Sequence, residues 1–492
     1  MKLVKQIALA LTVIMSVAAT GCATKQTSKE DKEVNLKYIM VGVGKQEDSD
    51  KVWAEFNKKL QEKIPNITVD FEIIPASEYK QKYTLMVAGR EKVDIVNTYS
   101  LNFSEEVQNG AFADMTELID KYGQDMKKLL PDYIFDYTTV DGKIYAVPTY
   151  QMLCVPQSIK THKELADKYL DTETLKNELN SNARTTQKAY DILDDYMAKL
   201  KEAGEIKKGP TSTLLETKGF ENIISNYGYF IDDDKCTVKY LYDTDEYKMS
   251  REMFKKWKEK GYFRKDLETT DEWNKYTKDG WVMWNGNYEP WFDQTESEKY
   301  GFDVLNIPTT DKYFIPMYSS AGSTAILSSC KNKEEAMQVI NLIQSDEEMY
   351  NLLVYGIEGE HYTKNGDGTI TTNTEKEYAS SSDKYGLYKW QVGNTKLAYQ
   401  NQFQPAGYKE WIFDEVNASE YKSPLIGFQI DTTAITDDLT QIDALSGEYK
   451  ASAQGDDARY EEWMSKVKLA GSDRIISEIQ RQVDEFLNNK KE

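Results

Sequence analysis

The chain has 492 residues, a length that suits roughly two to four domains. Its 82 acidic and 61 basic residues leave a net charge of −21, which excludes the broad basic footprint that nucleic-acid binding needs. The same balance argues against an anionic substrate gathered by long-range attraction, although a local Arg could still bind one.

The N-terminus carries an export signal. Lys2 and Lys5 precede an apolar run over residues 7–19, broken only by Thr12 and Ser16, and small residues lead to Cys22. The run is too short to span a bilayer, which takes roughly 20 apolar residues. Ala19-Thr20-Gly21-Cys22 resembles a bacterial lipobox, which implies cleavage before Cys22 by signal peptidase II and a diacylglycerol on its sulfur. The same exit also suits signal peptidase I and simple secretion. The expected division is a signal peptide over 1–21 and a polar, lipid-anchored tether over 22–35. The anchor would be the only membrane contact, and the mature chain is expected at the outer face of the cell membrane.

Residues 36–155 read as alternating strands and helices. Residues 36–41 form an apolar strand, 52–64 a helix with Val52, Phe56 and Leu60 at helical spacing, and 67–73 a strand of period two. A second helix starts near Ser77, residues 93–96 form a short buried strand, and 113–122 is helical again. This order implies an α/β fold with parallel strands, in which ligands sit beyond the carboxyl ends of strands. The loops over 42–48 and 97–100 are the ones so placed. Residues 142–148 read as a strand, 160–204 as mostly helical, and 247–260 as a helix burying Met253, Phe254 and Trp257. Strands are expected over 281–284, 300–307 and 325–327, with helices over 333–344 and 459–489, the last broken at Gly471.

Catalytic chemistry is sparse. His162 and His361 are the only histidines, and no metalloprotease, nucleophile-elbow, Walker or complete dinucleotide motif occurs. Gly42-Val43-Gly44 has Glu47 where a third glycine belongs, so it reads as a sharp turn. Asn365-Gly366-Asp367-Gly368 fails the calcium-loop template, because Thr363 and Thr374 stand where acidic ligands are required, and a hairpin turn fits it better. Cys154, Cys236 and Cys330 have neither disulfide nor metal spacing and read as small buried hydrophobes. No metal, no cofactor and no enzymatic activity are expected. Two carboxylates would suffice for a glycoside hydrolase, but no spacing among 82 acids singles out a pair.

The informative segment is 279–291, with Trp281, Trp284, Tyr288 and Trp291 around Asn285-Gly286. Aromatic faces bind the C–H face of a sugar ring, and amide and hydroxyl groups bind its hydroxyls. Trp281 and Met283 fit a core face. Tyr288 and Trp291, beyond the turn, fit a cleft.

Trp281 to Tyr288 resembles the Met-x-x-Asn-Gly-x-Trp turn of the extracellular solute-binding proteins of the maltodextrin-binding-protein-like group, with Tyr288 in the place of the stacking Trp. Residues 142–148 are similar to that group's strand before the hinge, and 319–341 to its return segment. Residues 355–362, 423–428 and 470–486 resemble one lipoprotein subfamily of carbohydrate type with its own C-terminal module. The resemblance implies a type II periplasmic-binding-protein-like fold of two α/β lobes, with a hinge and a ligand cleft between them. Lobe 1 would comprise 36–155 and 318–356, and lobe 2 would comprise 156–317 and 357–492. It implies a monomeric receptor that delivers a sugar or oligosaccharide to ABC permease subunits. A peptide or other small-solute receptor of the same fold remains an alternative, as does a surface-anchored glycoside hydrolase. The cleft residues so implied are Tyr99, Tyr150, Trp284, Asn285, Tyr288, Trp291, Tyr318 and Trp390, with Trp411 in the core.

Overall fold

The computed structural model describes residues 33–213, 215–267, 278–318, 322–374, 384–450 and 456–490. The expected signal peptide, Cys22, the tether as far as residue 32, and Ser319 to Ala321 of the return segment lie outside the described residues.

The first lobe is built on β1 (Val34–Gly42), β2 (Ile67–Pro75) and β3 (Ile95–Asn97), which run parallel with β1 in the middle. Helices Ser49–Lys63 and Tyr79–Ala88 make the crossovers. Leu36, Tyr38 and Met40 enter one core, and Ile39 and Val41 enter a second on the opposite face. Burial on both faces is why the strand reads as an unbroken apolar run. The expected strand over 142–148 is reduced to a hairpin of β4 (Thr139–Val140) with β5 (Lys143–Ile144), followed by β6 (Val147–Pro148).

The second lobe contains β7 (Gln157–His162), β8 (Phe220–Ile224), β9 (Tyr227–Phe230), β10 (Lys239–Tyr240), β11 (Met283–Asn287) and β12 (Val304–Pro308). β7 is flanked by β11 and β12, antiparallel to both, and β8, β9 and β10 make a separate antiparallel sheet. Helices Thr172–Ser181, Gln187–Glu202 and Asp245–Glu259 cover one face of the β7 sheet. The helical reading of 160–204 therefore fails at its start, where β7 takes its first residues. Ser158, Lys160, Thr161 and His162 are all buried in that strand, so its pattern is polar. Their partners come from distant parts of the chain: Thr161 Oγ1 donates to the Val282 carbonyl at 2.6 Å, and Lys160 pairs with Glu296 at 2.6 Å.

The chain returns to the first sheet as β13 (Ser323–Ile326), antiparallel to β3 and β6, and helices Lys333–Ser345 and Glu347–Tyr355 pack on the first core. The next segment departs from the expected division. Tyr362, Ile370, Tyr385, Leu387, Val392, Trp411 and Phe413 join the first-lobe core, although the resemblance implies the second lobe for 357–492. Only from about Leu425 does the tail join the core of β8, β9 and β10. Within this segment β14 (Tyr362–Lys364) and β15 (Ile370–Thr372) form the hairpin expected at Asn365-Gly366. The tail helices Asp457–Leu469 and Ser472–Asn489 are broken at Gly471, whose φ is 106°. A Cβ there would stand 2.7 Å from the Asp438 carboxyl, so both conformation and space require glycine.

Three crossings between the lobes are fastened to one another. Asn417, buried, accepts from the Leu153 amide at 2.9 Å and donates to the Gln151 carbonyl at 2.7 Å. The Ile315 amide donates to Tyr421 O at 2.8 Å, and the Ser423 amide donates to Ile315 O at 2.8 Å.

Candidate functional site

Three adjoining cavities lie where the lobes face each other, with volumes of 820, 520 and 390 Å³. Val155 lines the first and second, Tyr318 the first and third, and Tyr99 the second and third. They therefore adjoin one another in the cleft around the crossings.

Tyr99 stands at the carboxyl end of β3, as the strand-end rule requires. The turn that presents it is fixed by Asn97, whose Oδ1 accepts from the Tyr99 amide at 2.8 Å and whose Nδ2 donates to the Gln391 carbonyl at 2.8 Å. That second bond brings in the neighbour Trp390, 40% exposed, whose ring meets Tyr99 edge-on at 5.8 Å and lies near-parallel to Tyr388 at 5.9 Å. Gly393 closes the same loop at φ 57°, where a Cβ would press Ile343 and Tyr350 at 3.1 Å. The loop over 42–48, the other expected ligand loop, lines none of the three cavities. Gln46 accepts from the Gly386 amide at 2.9 Å and Asp48 pairs with His361 at 3.2 Å, so the 357–416 segment covers that end of the sheet.

The remaining expected residues divide sharply. Asn285 is exposed and lines the 820 Å³ cavity, and Tyr318, 36% exposed, joins that cavity to the smallest. Trp284 does not reach the cleft. It is 2% exposed and packs among His162, Tyr300 and Phe302 beneath the β7 sheet. Tyr150 is buried against Phe413 at 5.1 Å and serves by its backbone, which donates to Gly393 O at 3.0 Å and accepts from the Thr395 amide at 2.8 Å. Trp291 is half-buried and braces the lobes edge-on against Trp411 at 5.7 Å. Tyr288 is half-buried, its amide donates to Pro156 O at 2.7 Å, and it lines none of the three cavities. Its neighbours Asn287 and Glu289 line the 520 Å³ cavity instead.

Sequence reasoning missed most of the wall. In the 520 Å³ cavity Tyr388, Tyr399, Phe403 and Tyr408 join Tyr99 and Trp390. The available signal was the density of aromatics between 385 and 413. The 820 Å³ cavity has a different character, with the carboxamides of Gln157, Asn180, Asn182, Asn222 and Asn285 around it. Each carboxamide both donates and accepts, which suits a ligand of hydroxyl groups. Among the described residues no cluster of three metal-ligating side chains occurs.

Glu221 lines the same cavity and ties the hinge to the second lobe. Only 7% exposed, it accepts from the Met317 amide, the Tyr229 hydroxyl and the Ser423 hydroxyl, the last at 2.7 Å. Burial pushes its carboxyl above the usual range, while those three donors favour the ionised form. Glu221→Ala removes the acceptor of three buried donors; the Tyr229 and Ser423 hydroxyls keep their mutual bond at 2.9 Å, and a donor left unpaired costs about 1–3 kcal/mol. The melting temperature is expected to fall by several degrees and ligand affinity to fall with it. A thermal melt and a titration of the same variant check both.

The comparisons with known proteins agree with this architecture. Residues 44–350 match the model of the bacterial extracellular solute-binding protein family, and residues 424–488 match a domain of unknown function. A carbohydrate ABC transporter substrate-binding protein of Streptococcus pneumoniae serotype 4 is 26% identical over 485 residues, spanning 96% of this chain and 94% of that protein. A polygalacturonan/rhamnogalacturonan-binding protein of Bacillus subtilis strain 168 is 23% identical over 393 residues, 73% of this chain and 74% of that protein. The crystal structure of the N-glycan transport solute binding protein NgtS from Streptococcus pneumoniae superposes with a TM-score of 0.73 at 24% identity, covering 93% of this chain and 99% of that one. The fold is the α/β, two-lobe, type II binding-protein fold expected from the sequence. The chain belongs to the bacterial extracellular solute-binding proteins.

Proposed function

We propose that this chain is a receptor that captures an oligosaccharide in the interlobe cleft and delivers it to the permease of an ABC importer, without chemical change to the ligand. One observation carries the reading: a cleft with the rings of exposed Trp390 and half-buried Tyr99 on one side and a group of carboxamides on the other. Rings take the apolar face of a sugar and carboxamides take its hydroxyls. Relatives whose names describe carbohydrate binding support the same choice. A three-way crossing fits hinge closure on the ligand, with the closed form recognised by the permease.

A thermal-shift screen of the chain lacking residues 1–22, against mono- and oligosaccharides and against peptides, tests it. A ligand at a hundred times its dissociation constant stabilises by about 2.7 kcal/mol. A shift with a glycan and none with peptides is expected. A shift with peptides alone would make this a peptide receptor.

The anchor is proposed at Cys22, on the strength of the Ala19-Thr20-Gly21-Cys22 sequence. Among the described residues no helix is long and apolar enough to cross a membrane. Cys22→Ala is expected to release the protein into the medium or leave it unprocessed, read by immunoblot of membrane and medium fractions. A variant that is cleaved yet stays on the membrane would sink the lipid anchor.

A further inference from the structure

The 520 Å³ cavity contains two cations that a neutral ligand would leave without a counter-ion. Lys389 precedes Trp390 in the turn Lys389–Gln391, and its ammonium stands 5.8 Å from the centre of the Tyr355 ring. Lys409 lies in the helical turn Tyr408–Glu410 and donates to the Ala398 carbonyl at 3.1 Å. Both line the cavity. Among the described residues, no carboxylate lies within 4.0 Å of either ammonium. Neighbouring lysines behave differently: Lys396 pairs with Asp414 at 3.9 Å and Lys364 with Glu358 at 3.3 Å. Lys389 and Lys409 thus bring two positive charges to one wall of the cavity, beside Tyr388, Trp390 and Tyr408.

The environment of Lys409 sharpens the point. It is half-buried, and that burial draws its ammonium below the usual lysine range. Lys396 and Lys389 add repulsion, while Glu347 and Glu410 offset part of it from a distance. Glu289 is the one acid lining the cavity, and it enters from the second lobe without pairing with either lysine. An anion on the ligand would stabilise both cations where the aromatic wall already binds ring faces.

We propose that this end of the cleft takes a carboxylated sugar unit of the oligosaccharide, with Lys409 and Lys389 binding the carboxylate and Trp390 stacking on the ring. The inference rests on the oligosaccharide reading above and narrows its ligand class. Lysines bind as point charges without a fixed fork, so a carboxylate that rotates about a sugar C–C bond is accepted in more than one orientation.

The test is calorimetric titration of the chain lacking residues 1–22 with glycan pairs that differ only in charge. The pairs are trigalacturonate with its methyl ester, and sialyllactose with its methyl ester. At low salt the acidic member of one pair is expected to bind roughly ten- to a hundredfold tighter than its neutral partner. That preference should shrink as salt is raised. Lys409→Gln and Lys389→Gln should each reduce the acidic-to-neutral ratio, and the double variant should abolish it. Lys389→Gln removes no hydrogen bond, so it keeps the test open if Lys409→Gln folds poorly. Equal binding within each pair, a neutral preference, or a ratio that survives the double variant would overturn the proposal and leave the oligosaccharide reading standing. Binding of peptides with no glycan bound would sink both, and so would the absence of binding to every glycan tried.

Discussion

Trp390→Ala is expected to weaken oligosaccharide binding by roughly tenfold or more, with little change in the melting temperature of the unliganded protein. The ring is 40% exposed and touches Tyr99 and Tyr388, both of which also line the cleft. Its removal opens no cavity in the core, so the stability cost should stay near that of a surface change, about 0.5 kcal/mol. Binding loses more. Stacking contributes about 0.5–1.5 kcal/mol beyond the buried area, and burying the ring face contributes further. Tyr99→Ala should act in the same direction, and the double variant should cost less than the sum of the two, because the rings are in contact. Unchanged affinity with a large loss of stability would make Trp390 a packing residue and remove the aromatic wall from the site.

Trp284→Ala should do the reverse. The side chain is 2% exposed within a small core of Trp281, Val304, Tyr300 and Phe302. Truncating a buried Trp costs about 3–5 kcal/mol through lost burial and the cavity left behind. At about 2–4 °C per kcal/mol for a body of this size, the second lobe should melt of order ten degrees lower. Affinity measured well below that transition should be close to the parent value, because Trp284 touches no cavity of the cleft. A tenfold loss of affinity with unchanged melting would return Trp284 to the site.

The contrast between these two tryptophans shows what the sequence could reveal. By pattern Trp281 and Met283 fit a core face, and the cleft place of Trp284 is implied only by the family resemblance. Both faces of the three-stranded sheet that holds Trp284 are covered, one by helices and one by the Trp281 cluster. Period-two patterning identifies faces but does not say which of them is covered. The first lobe was legible because β1, β2 and the helices between them bury regular patterns at short range. β7 was not, because its buried residues are polar and find their partners in segments over 100 residues away, Val282 and Glu296 among them. The placement of 357–416 on the first lobe was not legible either. Its elements are short turns and a two-stranded hairpin held by distant contacts, such as His361 with Asp48 and Gln391 with Asn97. The strand-end rule points to Tyr99 and the nearby Gly393 points to Trp390, and both line the candidate cleft. Lys409 and the carboxamides of Gln157, Asn180, Asn182 and Asn222 carried no local signal, since each gains meaning only from the surfaces that the fold places opposite it.

The most direct test of the receptor reading is a calorimetric titration of the chain lacking residues 1–22 with oligosaccharides, followed by an assay of the same mixtures for reducing ends. The account predicts one saturable site for a glycan, heat that disappears or shrinks in Trp390→Ala, and no new reducing ends above buffer. Saturable binding of peptides with none of glycans, or release of reducing ends in proportion to protein concentration, would contradict it.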